Sequence, residues 1–430
     1  MRVALSTHGC RLNQAETDAL EAQLRQAGHE IVATAEEAEW VVINSCTITH
    51  QADADARRAV RRAKRANPSA RVLVTGCYAN ADPEGLAALP GVDAVLGNGD
   101  KARLEEALRT DPPRPDGAWV SVSSLRRART MTPLEPARLR RRSRPLLKIQ
   151  DGCNYRCSFC IVPQVRGPSR SHTLDTVRRQ VATLVEQGAA EVVLTGVHLG
   201  TWGRDVRPRT RLSELVAALL PELGPARLRL SSLDPHEVDD ALVQLMADHP
   251  ERLCRHLHLP VQSGDPEILR AMRRGHTADE FTRLCTRVLA AVPGVAIGTD
   301  VIVGFPGEDE AAFARTFDML AALPLAYHHV FSYSRRRGTA AAQFDDQVPP
   351  ATKHDRSQRL RALSEVQARQ FAQPFVGSTL DAVIEPQGPE GATAVTDNFL
   401  RLAIAAPRRM LGCRTRVRVA ADARSATMVE

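Results

Sequence analysis

Between residues 145 and about 370, short apolar runs alternate six times with segments of helical period, and this pattern restricts the fold more than any other feature. Runs near 146–150, 191–195, 227–230, 256–259, 297–302 and 327–331 read as strands. The segments 173–187, 211–220, 237–247, 278–291 and 309–322 read as helices. Alternation of this kind indicates parallel strands with helical crossovers. Six units fit a partial (β/α)6 barrel, open on one side. Chemistry in β/α barrels sits at the carboxyl ends of the strands.

The first of those strands runs straight into Cys153, Cys157 and Cys160, spaced C-x3-C-x2-C. Three thiolates on one short loop can hold three irons of a cubane cluster and leave the fourth iron open to a ligand. A zinc site would need a fourth ligand, for which His172 is the nearest candidate. A redox pair of Cys157 and Cys160 would leave Cys153 idle, and a disulfide would leave one of three thiols over. The cluster is the favoured reading, with zinc the next. Other strand ends of this region carry hydroxyls, amides and glycines suited to a cofactor. By position, Ser231, Ser232 and Gln262 are candidate contacts, with Thr195, Gly196 and the turn at Gly304 beside them.

The first 110 residues repeat the α/β logic on a smaller scale. Strands are expected at 3–5, 40–43, 72–74 and 94–96, and helices at 14–27, 51–66 and 101–108. They describe an open α/β sheet. Cys10, Cys46 and Cys77 each follow one of its strands, at the edge where such sheets bind ligands. Buried cysteines can also be plain small apolar residues, but the repeated position points to a second metal site. Arg57, Arg61 and Arg65 share one helical face, which reads as solvated or as a phosphate contact.

Two sets of residues resemble a known family. The run Asp151-Gly-Cys-Asn-Tyr-Arg-Cys-Ser-Phe-Cys-Ile161 resembles the signature of the radical S-adenosylmethionine enzymes. Gly9-Cys-Arg-Leu-Asn-Gln-Ala-Glu-Thr17, with Asn44-Ser-Cys46 and Thr75-Gly-Cys77, resembles the N-terminal domain of the methylthiotransferases among them. The segments 195–200, 229–235, 256–264 and 299–307 are similar to the branch acting on threonylcarbamoyladenosine in tRNA. Sister branches act on isopentenyladenosine tRNA and on a ribosomal-protein aspartate.

The resemblance implies two [4Fe-4S] clusters, one on Cys153, Cys157 and Cys160 and one on Cys10, Cys46 and Cys77. At the first, S-adenosylmethionine would be cleaved to a 5′-deoxyadenosyl radical that removes hydrogen from C2 of the modified adenosine at position 37, beside the anticodon. The second would deliver sulfur, and a second S-adenosylmethionine the methyl group. An external electron donor such as a flavodoxin or ferredoxin, and a sulfur source, are implied partners. An unactivated aromatic C–H bond needs a radical, while sulfur delivery needs a separate soft-metal site.

Composition narrows the remainder. No stretch of about 18 apolar residues occurs, so no membrane span is expected, and the opening residues lack a signal-peptide core. A cytoplasmic location follows, in which nine cysteines argue for metal or catalysis and not for disulfides. Cys254, Cys285 and Cys413 have no partner at metal spacing and read as buried small residues. His256 and His258 share a strand face and are read as structural. The net charge of +7 is almost wholly arginine, which suits phosphate recognition. Residues 111–144 read as a basic linker that includes Arg138, Arg140, Arg141, Arg142 and Arg144. After a core ending near 372, residues 375–430 shift to short strands at 380–384, 392–396, 400–404 and 415–419 with glycine turns, a small β-barrel. It resembles the RNA-binding TRAM domain. Arg401, Arg408, Arg409, Arg414, Arg416 and Arg418 give it basic character, and Phe399 is almost its only aromatic residue.

Overall fold

The computed structural model describes residues 1–109, 117–131, 134, 143–387 and 391–429. The linker arginines at 138, 140, 141 and 142 and the expected turn at Gly388 lie outside them. Among the described residues no helix is long and apolar enough to cross a membrane.

Every residue of the strand Trp40–Ser45 is buried, as befits a parallel strand covered on both faces. In the N-terminal region the elements run β1 (Arg2–Thr7), α1 (Arg11–Gln26), β2 (Glu30–Ile31), β3 (Trp40–Ser45), α2 (His50–Ala66), β4 (Arg71–Gly76), α3 (Cys77–Ala81), α4 (Pro83–Ala87), β5 (Ala94–Leu96), α5 (Leu104–Arg109) and β6 (Trp119–Ser121). The strands pair in the order β2-β1-β3-β4-β5-β6, all parallel. Alternate side chains feed two cores. Val41, Ile43, Val72 and Val74 pack under Ala56 and Val60 of α2, whereas Val3, Val42 and Leu73 pack under Leu20 and Leu24 of α1 and Leu104 of α5. The sheet runs past residue 110, because Trp119–Ser121 pairs with β5. On α2, Arg57 donates to the Tyr78 hydroxyl at 2.8 Å, while Arg61 and Arg65 are exposed.

The central region continues with β7 (Leu146–Lys148), β8 (Gln150–Asp151), α6 (Val162–Arg166), β9 (Arg170–Ser171), α7 (Leu174–Glu186), β10 (Glu191–Thr195), α8 (Leu212–Leu219), β11 (Arg227–Leu230), α9 (Asp240–Asp248), β12 (His256–His258), α10 (Pro266–Ala271), α11 (Ala278–Ala291), β13 (Ala296–Val303), α12 (Glu310–Ala322), β14 (Tyr327–Ser332) and α13 (Pro350–Ala372). Two parallel three-stranded sheets, β11-β10-β7 and β12-β13-β14, are joined by bridges between Leu228 and Leu253 and between Ser232 and His258. Together they make the partial six-stranded barrel, and β8 and β9 form a separate antiparallel pair beside it. Outward residues such as Val192, Leu194, Leu257, Ile297 and Val301 pack against Val177, Leu215, Phe281 and Phe313 of the surrounding helices. A second stripe of β12, β13 and β14 is polar. His258 Nε2 lies 2.9 Å from Asp300 Oδ1, and His256 Nε2 lies 2.8 Å from the Tyr327 hydroxyl.

The C-terminal strands β15 (Thr379–Gln387), β16 (Gly391–Thr396), β17 (Arg401–Ile404), β18 (Arg414–Val419) and β19 (Ser425–Met428) close a small barrel in the order β15-β16-β17-β19-β18. Its β16–β17 turn docks on the central domain. Phe399, in a left-handed backbone conformation at φ 66°, stacks on His256 with ring centroids 4.3 Å apart and lies under the Arg229 guanidinium at 5.2 Å. Arg414 donates to the carbonyls of Pro225 and Glu251. Of the expected surface cations, Arg401, Arg408, Arg409, Arg416 and Arg418 are exposed, whereas Arg414 is tied to the central domain. Arg144 is likewise no free linker charge, bonding Glu385 at 2.9 Å and Glu191 at 3.1 Å. Cys254 and Cys285 are buried as expected, but Cys413 is exposed because it sits in the turn before β18.

Candidate active site

The register of the N-terminal sheet sets Thr7 opposite Asn44 and Ser45 opposite Gly76, so β1, β3 and β4 end at one edge. Cys10 caps α1 there, Cys46 follows β3 and Cys77 opens α3. Burial pushes the Cys46 thiol up to about 12, and Cys77 and Cys10 add to the rise, so the three sulfurs share one neighbourhood. The Cys10 thiol donates to Asn13 Oδ1 at 3.2 Å, and Asn13 Nδ2 donates to the Ser45 carbonyl at 3.0 Å. The backbone demands the glycine before Cys77: at φ 100° a Cβ on Gly76 would stand 2.2 Å from the Ser45 carbonyl oxygen.

The second triad is held by its loop. Cys153 N–H donates to the Gly167 carbonyl at 3.0 Å, and Cys160 N–H to the Cys157 carbonyl at 3.1 Å. Ser158 pins the middle of the loop to α10 through Oγ and the Ala271 carbonyl at 2.7 Å. Burial pushes the Cys160 thiol up to about 12, with Cys157 and Cys153 adding. His198 Nδ1 lies 3.3 Å from Cys153 Sγ, and its Nε2 lies 2.8 Å from the buried Glu237 carboxylate. Burial opposes the imidazolium, but Cys153 and Glu237 outweigh it and raise His198 to about 9. Arg274 Nη1 stands 3.7 Å from Cys157 Sγ while its Nη2 bonds Asp234. His172, the residue considered as a fourth zinc ligand, has a pKa lowered to about 4 by burial and by Lys148.

The two triads adjoin. Cys77 packs in one small apolar cluster with Val165 and with Ile161, the residue directly after Cys160. A buried charge network closes the seam around them. Glu16 of α1 takes Lys148 at 2.7 Å and Arg166 at 2.8 Å and also pairs with Lys101. Burial opposes its ionisation, yet Arg166, Lys101 and Lys148 hold the carboxyl well below the usual range. On the far side Arg336 donates to Thr47 Oγ1 at 2.7 Å, next to Cys46.

The cofactor candidates fall in different settings. Thr195 is buried at the end of β10, and a Cβ on Gly196 would stand 2.8 Å from Gln150 Oε1. Ser231 directly follows β11, and its buried hydroxyl has no hydrogen-bond partner among the described residues. Ser232 is exposed, and Gln262 is half-buried at φ 73°. A Cβ on Gly304 would meet the stem of Lys353 at 2.3 Å, so that turn is filled by protein. The donor set fits the implied groups: two triads of soft sulfur ligands, and an orphaned hydroxyl at a strand end. The sequence reading passed over Arg166, His198, Glu237 and Arg274. No local sequence signal marks Arg166, one arginine in an arginine-rich chain.

Residues 2–97 match Uncharacterized protein family UPF0004, and residues 147–320 match the Radical SAM superfamily. The chain is similar to the threonylcarbamoyladenosine tRNA methylthiotransferase MtaB of Bacillus subtilis, at 36% identity over 97% of this chain and 93% of the relative. It is also similar to the ribosomal protein uS12 methylthiotransferase RimO of Desulforudis audaxviator, at 33% identity over 89% of this chain and 85% of the relative. Among solved structures, the radical S-adenosylmethionine methyltransferase TsrM of Kitasatospora setae, with cobalamin and a [4Fe-4S] cluster bound, has the same fold. It aligns at TM-score 0.57 and 18% identity, over 95% of this chain and 83% of its own. The chain belongs to the methylthiotransferase family of radical S-adenosylmethionine enzymes.

Proposed function

We propose that this protein methylthiolates C2 of N6-threonylcarbamoyladenosine at position 37 of tRNA. It is a transferase working with S-adenosylmethionine and two [4Fe-4S] clusters, as its family does. Cys153, Cys157 and Cys160 would hold one cluster, and Cys10, Cys46 and Cys77 the other. With S-adenosylmethionine bound, these groups supply a radical able to take hydrogen from an aromatic carbon, and sulfur to replace it. The observation that supports the reading is the small buried cluster that Cys77 shares with Val165 and with Ile161, the residue after Cys160, which would bring hydrogen removal and sulfur delivery into one neighbourhood. Short separation is worth much in such a reaction, since holding reactants together removes an entropic barrier of about 7–11 kcal/mol at best.

The remaining assignments are to the chain's own groups. His198 and Arg274 set positive charge beside Cys153 and Cys157. Ser231 presents a free buried hydroxyl to a bound cofactor. The exposed Arg408, Arg409, Arg416 and Arg418 of the C-terminal barrel would meet tRNA phosphates. Phe399 is half-buried with its ring stacked on His256, so RNA contact is assigned to charge and shape and not to stacking by this ring. The location read from composition is the cytoplasm, where tRNA and a flavodoxin-type or ferredoxin-type donor would be met.

The resemblance to a ribosomal-protein enzyme favours one second reading, methylthiolation of a protein aspartate. Reconstituted enzyme with S-adenosylmethionine, a reductant and sulfide should be given tRNA bearing threonylcarbamoyladenosine in one vessel and ribosomal protein uS12 in another. A mass gain of one methylthio group on the nucleoside alone supports the proposal; a gain on the protein alone supports the second reading.

A further inference from the structure

Arg166 ends α6, the helix that leaves the Cys153–Cys157–Cys160 loop, yet its guanidinium lies among the residues of the other triad. Nε donates to Cys77 Sγ at 3.2 Å. Nη2 donates to Asn13 Oδ1 at 3.3 Å, the same oxygen that accepts the Cys10 thiol. It also donates to Glu16 Oε2 at 3.2 Å. Nη1 donates to Glu16 Oε1 at 2.8 Å and to Asp151 Oδ1 at 3.2 Å. An arginine has five N–H donors, and all five are used here by a side chain only 2% exposed. Asp151 in turn lies two residues before Cys153.

One side chain therefore touches Cys77 directly, reaches Cys10 through Asn13, and is anchored by chain and by carboxylate to both ends of the second cysteine loop. The surrounding charge is not balanced. Lys101, Lys148, Arg166 and Arg170 make four cations around the two carboxylates of Glu16 and Asp151. Extra positive charge in a buried seam is costly unless an anion shares it, and cysteine-ligated iron–sulfur clusters are anionic. Hydrogen bonds to ligating sulfurs and nearby charge both tune cluster potentials, and partners of the ligands orient them.

We propose that Arg166, held at the seam by Glu16 and Asp151, is a positioning residue of the Cys10–Cys46–Cys77 site, fixing the Cys77 sulfur and the Asn13–Cys10 pair and raising the reduction potential of the cluster held there. This rests on the two-cluster reading under "Proposed function". Arginine is required over lysine, because an ammonium has no fixed fork to serve a sulfur, an amide and two carboxylates together.

The test is a redox titration followed by electron paramagnetic resonance, on anaerobically reconstituted full-length protein. Wild type, Arg166→Lys and Arg166→Gln are compared, with iron content and far-ultraviolet circular dichroism recorded for each. Two cluster signals in wild type establish the underlying reading; a single signal would overturn that reading and this proposal with it. Given two signals, the proposal expects the Cys10–Cys46–Cys77 signal to move to lower potential or to lose iron in both variants, more in Arg166→Gln. The signal that responds to S-adenosylmethionine should stay within error of wild type. Folded variants whose two signals both match wild type, or both shift alike, would overturn it. Should Arg166→Gln fail to fold, Arg166→Lys, which keeps the charge, decides the matter alone.

Discussion

Arg229 Nε donates to Glu191 Oε1 at 2.6 Å, and neither side chain reaches solvent. Arg227 takes the other carboxylate oxygen at 2.7 Å. So oriented, the two arginines donate to the carbonyls of Thr396, Asp397, Val395 and Asp381. Glu191 thereby docks the C-terminal barrel without touching its backbone. Replacing it with glutamine leaves two buried guanidinium groups short of a counter-charge, a loss of about 3–5 kcal/mol. Urea unfolding of Glu191→Gln should show that loss, and proteolysis should release the segment beyond residue 375 sooner than in wild type.

The same carboxylate sets an acid limit. Burial opposes its ionisation, but Arg229, Arg227 and Arg144 outweigh burial and hold it well below the usual range. Cys254 Sγ also faces it at 3.6 Å, and His256 and Arg11 lie within its electrostatic reach. In the unfolded chain a glutamate titrates near about 4.3. The folded state therefore binds fewer protons near that pH, so this stabilisation is complete above about pH 5 and declines as the pH falls toward the folded pKa. The urea midpoint of wild type should drop from pH 6 to pH 4 more steeply than that of Glu191→Gln.

Gly76 is a second sensitive point. An alanine Cβ there would lie 2.2 Å from Ser45 O and 2.6 Å from Ser45 N, both backbone atoms, at a φ of 100°. Strained backbone alone costs about 1–3 kcal/mol, and relief of the clash must move β3 against β4. Gly76→Ala should lower the melting temperature and halve or abolish iron on the Cys46–Cys77 side, measured as iron per chain, while a Gly188→Ala control, with open space around its Cβ, should keep its iron.

The two triads should separate by function. Cys157→Ala should end formation of 5′-deoxyadenosine from S-adenosylmethionine. Cys46→Ala should keep that cleavage and make no methylthiolated product. Chromatography of the small-molecule products, with mass spectrometry of the tRNA, checks both; product from Cys46→Ala would remove the second site from the reaction.

Much of the fold was legible because it is written in hydrophobic period. The six strand and helix alternations of the central domain, the parallel N-terminal sheet and the closing barrel all match the sequence expectation. What period could not show is where polar faces are covered by another domain. The strand Arg227–Leu230 alternates arginine and leucine, yet all four residues are buried. The reason is that the C-terminal barrel supplies carbonyls to the arginine face. Arg166 was hidden in the same way, one arginine in an arginine-rich chain, distinguished only by partners far away in sequence. His198 lies in the strand-end segment 195–200, but only the barrel, by setting the ends of β7 and β10 side by side, links it to Cys153. Cys413 was misread because a cysteine beside a glycine in a turn carries no sign of exposure.

The most direct test of the central claim is a mass-spectrometric comparison of tRNA nucleosides from cells with and without this gene. The 2-methylthio form of threonylcarbamoyladenosine should disappear on deletion, and the wild-type gene should restore it while Cys46→Ala does not. A nucleoside profile unchanged by deletion would contradict the tRNA substrate and turn the search to protein.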